Sequence, residues 1–300
     1  MELSNVIRKR ILDEILSRRA NFAGSDNKFA TSLGINAAQF SRIKNGELER
    51  VISDAQWISF ARKFDVALRD NVNWNVAHTP VSVAMMAQLK LCQENALSVL
   101  MCDLSGIGKT FSARLYAKNN KNVVYVDCSQ VKSKQKFIRC IAQELGVDSH
   151  GKYSDVYDDL VFTLKNIENP LIILDEAGDL DYKAFLEIKA LWNATENYCG
   201  WYMTGADGLK TTINRNINGK KVGYTEIFNR FDKKYSRIVP STVEDRKEML
   251  METAKMVIHA NCNGMADSKT LNQILYRCIG EDGLPSLRRI YKELIKSLNS

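Results

Sequence analysis

The stretch from Leu97 to Phe111 constrains this 300-residue chain more than any other. An apolar run, Leu97–Cys102, leads into Asp103-Leu-Ser-Gly-Ile-Gly-Lys-Thr110, and from Phe111 onward the pattern is helical. A strand that turns into a helix through glycines makes a cradle for phosphate. Glycine lets successive backbone N–H groups curl around an anion, and the helix N-terminus favours its charge. Gly106 and Gly108 supply that freedom, with Ser105, Ile107 and Phe111 completing the loop and its exit. Lys109 is placed to reach the β- and γ-phosphates of ATP, and Thr110 to ligate Mg²⁺. Asp103 stands where the usual pattern begins with glycine. It lies at the strand exit rather than in the cradle, so it is expected to leave binding intact.

Downstream, Leu171-Ile-Ile-Leu-Asp175-Glu176 is an apolar run ending in two acids. Asp175 would hold Mg²⁺, directly or through water, and Glu176 would polarise the attacking water. An apolar run ending in Asp-Glu is weak evidence alone, because many strands end in a capping acid. Two strand-end motifs in this order, with the apolar run Val123–Val126 between them, are specific. Trp201–Thr204 is another such run, and Tyr235–Val239 a weaker last one. Short apolar runs alternating with helical patterns indicate an α/β fold, a parallel sheet covered by helices on both faces. Beyond Pro240 only helical patterns remain, opened by Ser241 and Thr242 with Glu244 and Asp245 as capping partners.

The first 68 residues read as all helix, with Leu3, Ile7, Ile11 and Ile15 at helical spacing. Within them, Lys28 to Gly46 resembles the phage-repressor helix-turn-helix. Ala30 is small where two helices would touch, Gly34 sits at the turn, and Ile35, Phe40 and Ile43 are apolar anchors. The second helix then exposes Asn36, Ala37, Gln39, Ser41, Arg42 and Lys44, types suited to base edges and phosphates of double-stranded DNA. The same motif also serves as a protein-docking module. Residues 69–80, with Asp70, Asn71, Asn73 and Asn75 around an isolated Trp74, read as a linker. The expected order is a helix-turn-helix domain (1–68), a linker (69–80), an α/β nucleotide-binding domain (81–240) and a helical lid (241–300).

Composition narrows the class further. The chain is 45% hydrophobic and 26% charged, with a formal charge of +7, a surplus compatible with a phosphate backbone. Lys132, Lys134 and Lys136 follow the second strand, and Lys210, Arg215, Lys220 and Lys221 lie in what reads as a polar loop. Each alone reads as solvated surface, but as a set they could line a ring or filament interior and hold phosphates without reading sequence. Seven scattered cysteines and three scattered histidines do not make a zinc pattern and fit reduced thiols. No run of about 18 apolar residues spans a membrane. The N-terminus lacks a signal-type apolar region, so a cytoplasmic protein is expected.

On the two nucleotide motifs the chain resembles AAA+ ATPases. That resemblance implies roles for three more residues. Thr204 fits a polar sensor at a strand end. Arg288, in Gly283-Leu-Pro-Ser-Leu-Arg288-Arg289, fits a lid arginine that touches the γ-phosphate. Arg230 fits an arginine finger completing a neighbouring subunit's site, with Arg237 as its competitor. The whole layout resembles the target-selecting ATPases of transposons, the family of phage Mu transposition protein B. The repressor-like segment, the Trp-containing linker, Ser105-Gly-Ile-Gly-Lys-Thr110, Ala142-Gln-Glu-Leu-Gly146 and Leu174-Asp-Glu-Ala177 carry it. Asp103, Gly178 and a short C-terminus depart from it. The resemblance implies a homo-oligomer, a helical filament or ring, that assembles on double-stranded DNA with ATP and presents it to a transposase. Hydrolysis would time disassembly. A helicase-loader-like ATPase and a nucleotide-sensing, sequence-specific repressor are the alternatives.

Overall fold

The computed structural model describes residues 3–22, 24–64, 66–68, 74–262 and 268–298. The Arg69, Asp70, Asn71 and Asn73 part of the expected linker lies outside the described residues. Four helices come first: α1 (Asn5–Ala20), α2 (Asp26–Leu33), α3 (Ala37–Lys44) and α4 (Asp54–Lys63). Ser4, Ser25, Asn36 and Ser53 cap them, each side chain accepting the N–H three residues on. Gly34, at φ +71°, closes α2 in the left-handed conformation and turns the chain into α3. The apolar faces meet in a core of their own around Ile11, Ile15, Phe29, Phe40, Ile43 and Trp57.

Thr79 caps α5 (Pro80–Asn95), and Pro80 occupies its first turn. The alternating section then runs β1 (Ser98–Cys102), α6 (Lys109–Asn119), β2 (Val123–Asp127), α7 (Lys134–Glu144) and α8 (Tyr153–Asn166). It continues through β3 (Leu171–Asp175), α9 (Tyr182–Ala194), β4 (Gly200–Gly205), α10 (Asp207–Asn218), α11 (Tyr224–Arg230) and β5 (Tyr235–Ser236). All strands are parallel, in the order β2-β3-β4-β1-β5. The pleat sends alternate side chains to opposite faces. Leu100, Cys102, Ile172, Leu174, Trp201 and Met203 pack with α7, α8 and α9 residues on one face. Met101, Leu171, Ile173 and Tyr202 pack with α5 and α6 residues on the other. Each fully buried aliphatic side chain contributes roughly 1.5–3 kcal/mol, so the sheet is held from both sides. The α/β class expected from the alternating pattern is what the chain adopts.

Two local expectations are corrected. Residues 207–218 form the helix α10 rather than a polar loop, because Leu209 and Ile213, four apart, bury one face against the sheet. Lys210 and Arg215 are therefore helical, and only Lys220 and Lys221 fall in the turn after it. The last strand pairs only at Tyr235 and Ser236. Beyond them the N–H groups of Ile238 and Val239 donate to the Asp103 carboxylate instead of extending the ladder.

Past Pro240, α12 (Val243–Asn261), α13 (Ser268–Arg277) and α14 (Leu287–Leu298) close on a small core of Ala254, Ile258, Ile274, Cys278, Ile290 and Leu294. Trp74 and Ala77 pack against that core. Asn75 donates its N–H to Asn261 Oδ1 (2.7 Å) and accepts from Asn261 Nδ2 (3.1 Å). The second half of the expected linker is thus fastened to α12. No helix among the described residues is long and apolar enough to cross a membrane.

Candidate functional site

The carboxyl ends of parallel strands, where successive crossovers leave in opposite directions, open a crevice for ligands. Here β1 feeds α6, which crosses to β2 on one side, and the chain leaving β4 crosses β1 to reach β5 on the other. Asp103 to Gly108 span that crevice. Gly106 (φ +75°) and Gly108 (φ +98°) take conformations that a side chain would strain. A Cβ at Gly106 would meet nothing within 4 Å, so the turn itself demands the glycine. The helix α6 opens on Gly108 with no side-chain cap. Its first N–H groups have no intrahelical partner and remain for an anion.

Lys109 is buried and folded back on its own loop, its Nζ donating to the carbonyls of Asp103 (2.9 Å) and Leu104 (2.6 Å). Burial holds its ammonium below the ordinary lysine value, and the carboxylates of Asp103, Glu176 and Asp175 oppose that shift. Asp175 is buried at the end of β3. Its Oδ2 accepts from the Tyr125 hydroxyl (2.8 Å) and its Oδ1 from the Glu176 N–H (3.2 Å). Glu176 has φ +51°, a strained backbone for a residue with a side chain. Burial, then the charge of Asp175, push its carboxyl above the usual glutamate range, and Lys109 pulls it back. Thr204 faces Met101 across the β1–β4 ladder, fully buried, with a hydroxyl that has no partner among the described residues. An orphaned hydroxyl beside the loop suits a site that binds something polar.

One cavity of about 720 Å³ gathers Ser105, Gly106, Ile107, Gly108, Lys109, Thr110 and Phe111 with Glu176 and, from α14, Arg288. Asp175 and Thr204, buried in β3 and β4, are not among its lining residues. Trp74 and Tyr291 line it too and meet edge to face, 5.1 Å between centroids. Aromatic surface and an N–H-rich loop in one cavity match the two chemistries of a nucleotide, a flat base and phosphates. Trp74, Tyr291 and Tyr125 were not among the expected site residues. The isolation of Trp74 in a polar segment was the one signal available for it.

Other expected residues lie elsewhere. Arg230 ends α11, donating from Nε to Asn193 Oδ1 (2.9 Å) with its guanidinium 5.3 Å from the Trp192 ring. Arg237 approaches Asp103, Nε to Oδ1 at 3.9 Å. On α3, Asn36, Ser41, Arg42 and Lys44 are exposed and Gln39 half-buried. Asn36 and Gln39 cap each other reciprocally, Arg42 pairs with Glu47 (2.8 Å) and Lys44 with Asp26 (2.9 Å). Lys134 pairs with Glu187 (2.6 Å) and lies over Tyr153, and Lys221 sits 4.2 Å from the Tyr182 ring centre. Lys132 and Lys136 flank that pair, and Lys210 lies over Tyr235. Asp103 lies at the strand exit, just past β1, and is fully buried, with its carboxylate fastened to backbone N–H groups.

The AAA domain family matches residues 92–213, from the end of α5 into α10. Over 222 residues the chain is 24% identical to the Mu-like prophage FluMu DNA transposition protein B of Haemophilus influenzae, covering 73% of this chain and 74% of that protein. The resemblance to AAA+ transposition ATPases that the motifs carried is thereby shown. With the five-stranded parallel sheet, the AAA match gives the chain an α/β P-loop fold.

Proposed function

We propose that the chain is an ATP-dependent DNA-binding ATPase of transposition. It oligomerises on double-stranded DNA, presents that DNA to a transposase, and uses hydrolysis to control disassembly. The observation that carries the nucleotide part is the single cavity that joins the phosphate loop, Glu176 and Arg288. Likeness to a transposition protein supports the rest.

Bound ATP with Mg²⁺ would supply the phosphoryl group that is cleaved and the charge of the metal. Lys109 exchanges the Asp103 and Leu104 carbonyls for β- and γ-phosphate oxygens, which relieves the cost of its burial. Thr110 and Asp175 would hold the metal, and Tyr125 fixes the Asp175 carboxylate in place. Glu176 accepts the proton of the attacking water, a role its raised pKa suits. The Thr204 hydroxyl orients that water or the γ-phosphate, and Arg288 neutralises γ-phosphate charge from the lid. Trp74 and Tyr291, in contact with each other, would form an aromatic wall for the adenine. Arg230 serves a neighbouring subunit.

For DNA, the helix-turn-helix offers the outer face of α3: Asn36, Gln39, Ser41, Arg42 and Lys44. The α/β domain offers Lys132, Lys134, Lys136, Lys210, Arg215, Lys220 and Lys221. Contacts of the second kind bind phosphates of any sequence. Electron microscopy of the protein with ATP and plasmid DNA tests the reading. ATP-dependent filaments or rings on DNA of any sequence are expected. Isolated particles on one palindromic operator would point to the repressor instead.

A further inference from the structure

Asp103 occupies the position where a phosphate loop usually begins with glycine. Its Oδ2 accepts the N–H groups of Ile238 (2.7 Å) and Val239 (2.9 Å), and its Oδ1 accepts the Leu104 N–H (2.8 Å). Arg237 brings Nε to 3.9 Å of Oδ1. The main chain of the same residue donates to Gly205 O (3.3 Å) and accepts from Lys109 Nζ (2.9 Å). One residue therefore touches the loop lysine, the end of β4 and the segment that passes through Pro240 into α12. Glycine would make none of the side-chain bonds. A fully buried carboxylate is costly unless its oxygens are satisfied, and here backbone donors from both sides satisfy them.

We propose that Asp103 is a positioning residue that fastens the phosphate loop to the hinge of the helical lid. A triphosphate engaged by the loop is then felt at residues 237–240, and through them by α12 to α14, which carry Arg288. Arg237, drawn to this carboxylate, belongs to the same hinge and stays with its own subunit's loop. The inference rests on the nucleotide reading above and adds to it a route from loop to lid.

Hydrogen exchange of the full chain, with and without a nonhydrolysable ATP analogue and Mg²⁺, tests it. In the wild type the analogue should slow exchange across residues 105–110 and also at Ile238 and Val239. In Asp103→Gly the slowing at 105–110 should persist. That at Ile238 and Val239 should shrink by roughly tenfold to a hundredfold, the equivalent of one charge-assisted hydrogen bond. If Asp103→Gly does not fold, Asp103→Asn replaces it, since a carboxamide keeps the volume but has an acceptor on only one side. An equal response at 238–239 in variant and wild type would overturn the proposal. So would silence there in the wild type while the loop responds. Absence of protection at 105–110 in the wild type is a different result, one that removes the nucleotide reading and this inference with it.

Discussion

The Tyr125 hydroxyl donates a 2.8 Å hydrogen bond to Oδ2 of Asp175, across the neighbouring parallel strands β2 and β3. The register sets Tyr125 opposite Ile173, two residues before the acid, so a side chain long enough to reach along the strand meets the carboxylate. The other oxygen, Oδ1, accepts the longer Glu176 N–H bond (3.2 Å), and under the proposed function it is the one that would face a metal. Tyr125→Phe keeps the packing and removes the donor. It should weaken the apparent Mg²⁺ affinity by about tenfold, a usual consequence of losing an outer-shell partner, while metal-free nucleotide binding stays unchanged. Mg²⁺ titration of a fluorescent ATP analogue gives the answer, and an unaltered curve would mean that Asp175 needs no such support.

Binding and hydrolysis should separate at two residues. Lys109→Ala should abolish nucleotide binding, because Lys109 is the phosphate-loop lysine that lines the cavity. Glu176→Gln should retain ATP on DNA while slowing turnover by about 10²–10⁴-fold. Turnover near wild type in Glu176→Gln would exclude it as the base.

The pH profile carries a sign of its own. Glu176 works as a base only when ionised, and burial with the neighbouring Asp175 raises its pKa. Turnover should therefore fall, as pH drops, at a higher pH than an ordinary glutamate would give. A profile flat down to the usual carboxylate range would place the base elsewhere.

The aromatic lining of the cavity predicts a distinction between base and phosphate. Trp74→Ala removes one wall of the Trp74–Tyr291 pair. ATP affinity should drop roughly tenfold, in line with about 1–3 kcal/mol for stacking a base on an aromatic side chain. Competition by inorganic tripolyphosphate should be untouched. Equal losses for both ligands would show that Trp74 shapes the lid rather than the base pocket.

For DNA, the three lysines after β2 should not count equally. Lys134 is committed to Glu187 at 2.6 Å, whereas Lys132 and Lys136 flank it. Neutralising Lys132 and Lys136 together should weaken binding on all sequences alike and lower the salt slope by about two units, one per lost phosphate contact. Adding Lys134→Ala should change the slope little further. Affinity measured against salt concentration in the presence of ATP decides this, and an unchanged slope would make the loop ordinary solvated surface.

Features that depend on neighbours along the chain were legible in the residues themselves. The glycines at 106 and 108 need left-handed backbone, the helix that follows must begin at Lys109, and an apolar run ending at Asp175 must be a strand whose acid faces the same edge. Apolar runs bounded by turns located β1 to β4, because a strand buried on both faces tolerates little else. Features that depend on residues far apart emerged with the packed fold. Asp103 reads as a flaw in the motif until Ile238 and Val239, 135 and 136 residues on, deliver their N–H groups to it. The same bonds cut β5 to two residues, which no local propensity foretold. Trp74 joins the cavity because the core of α12 to α14 packs against it and sets Tyr291 beside it, and the pairing of Lys134 with Glu187 follows from α7 packing on α9. Backbone conformation is fixed by sterics within a few bonds, whereas a side chain's partners are fixed by which surfaces the packed core brings together.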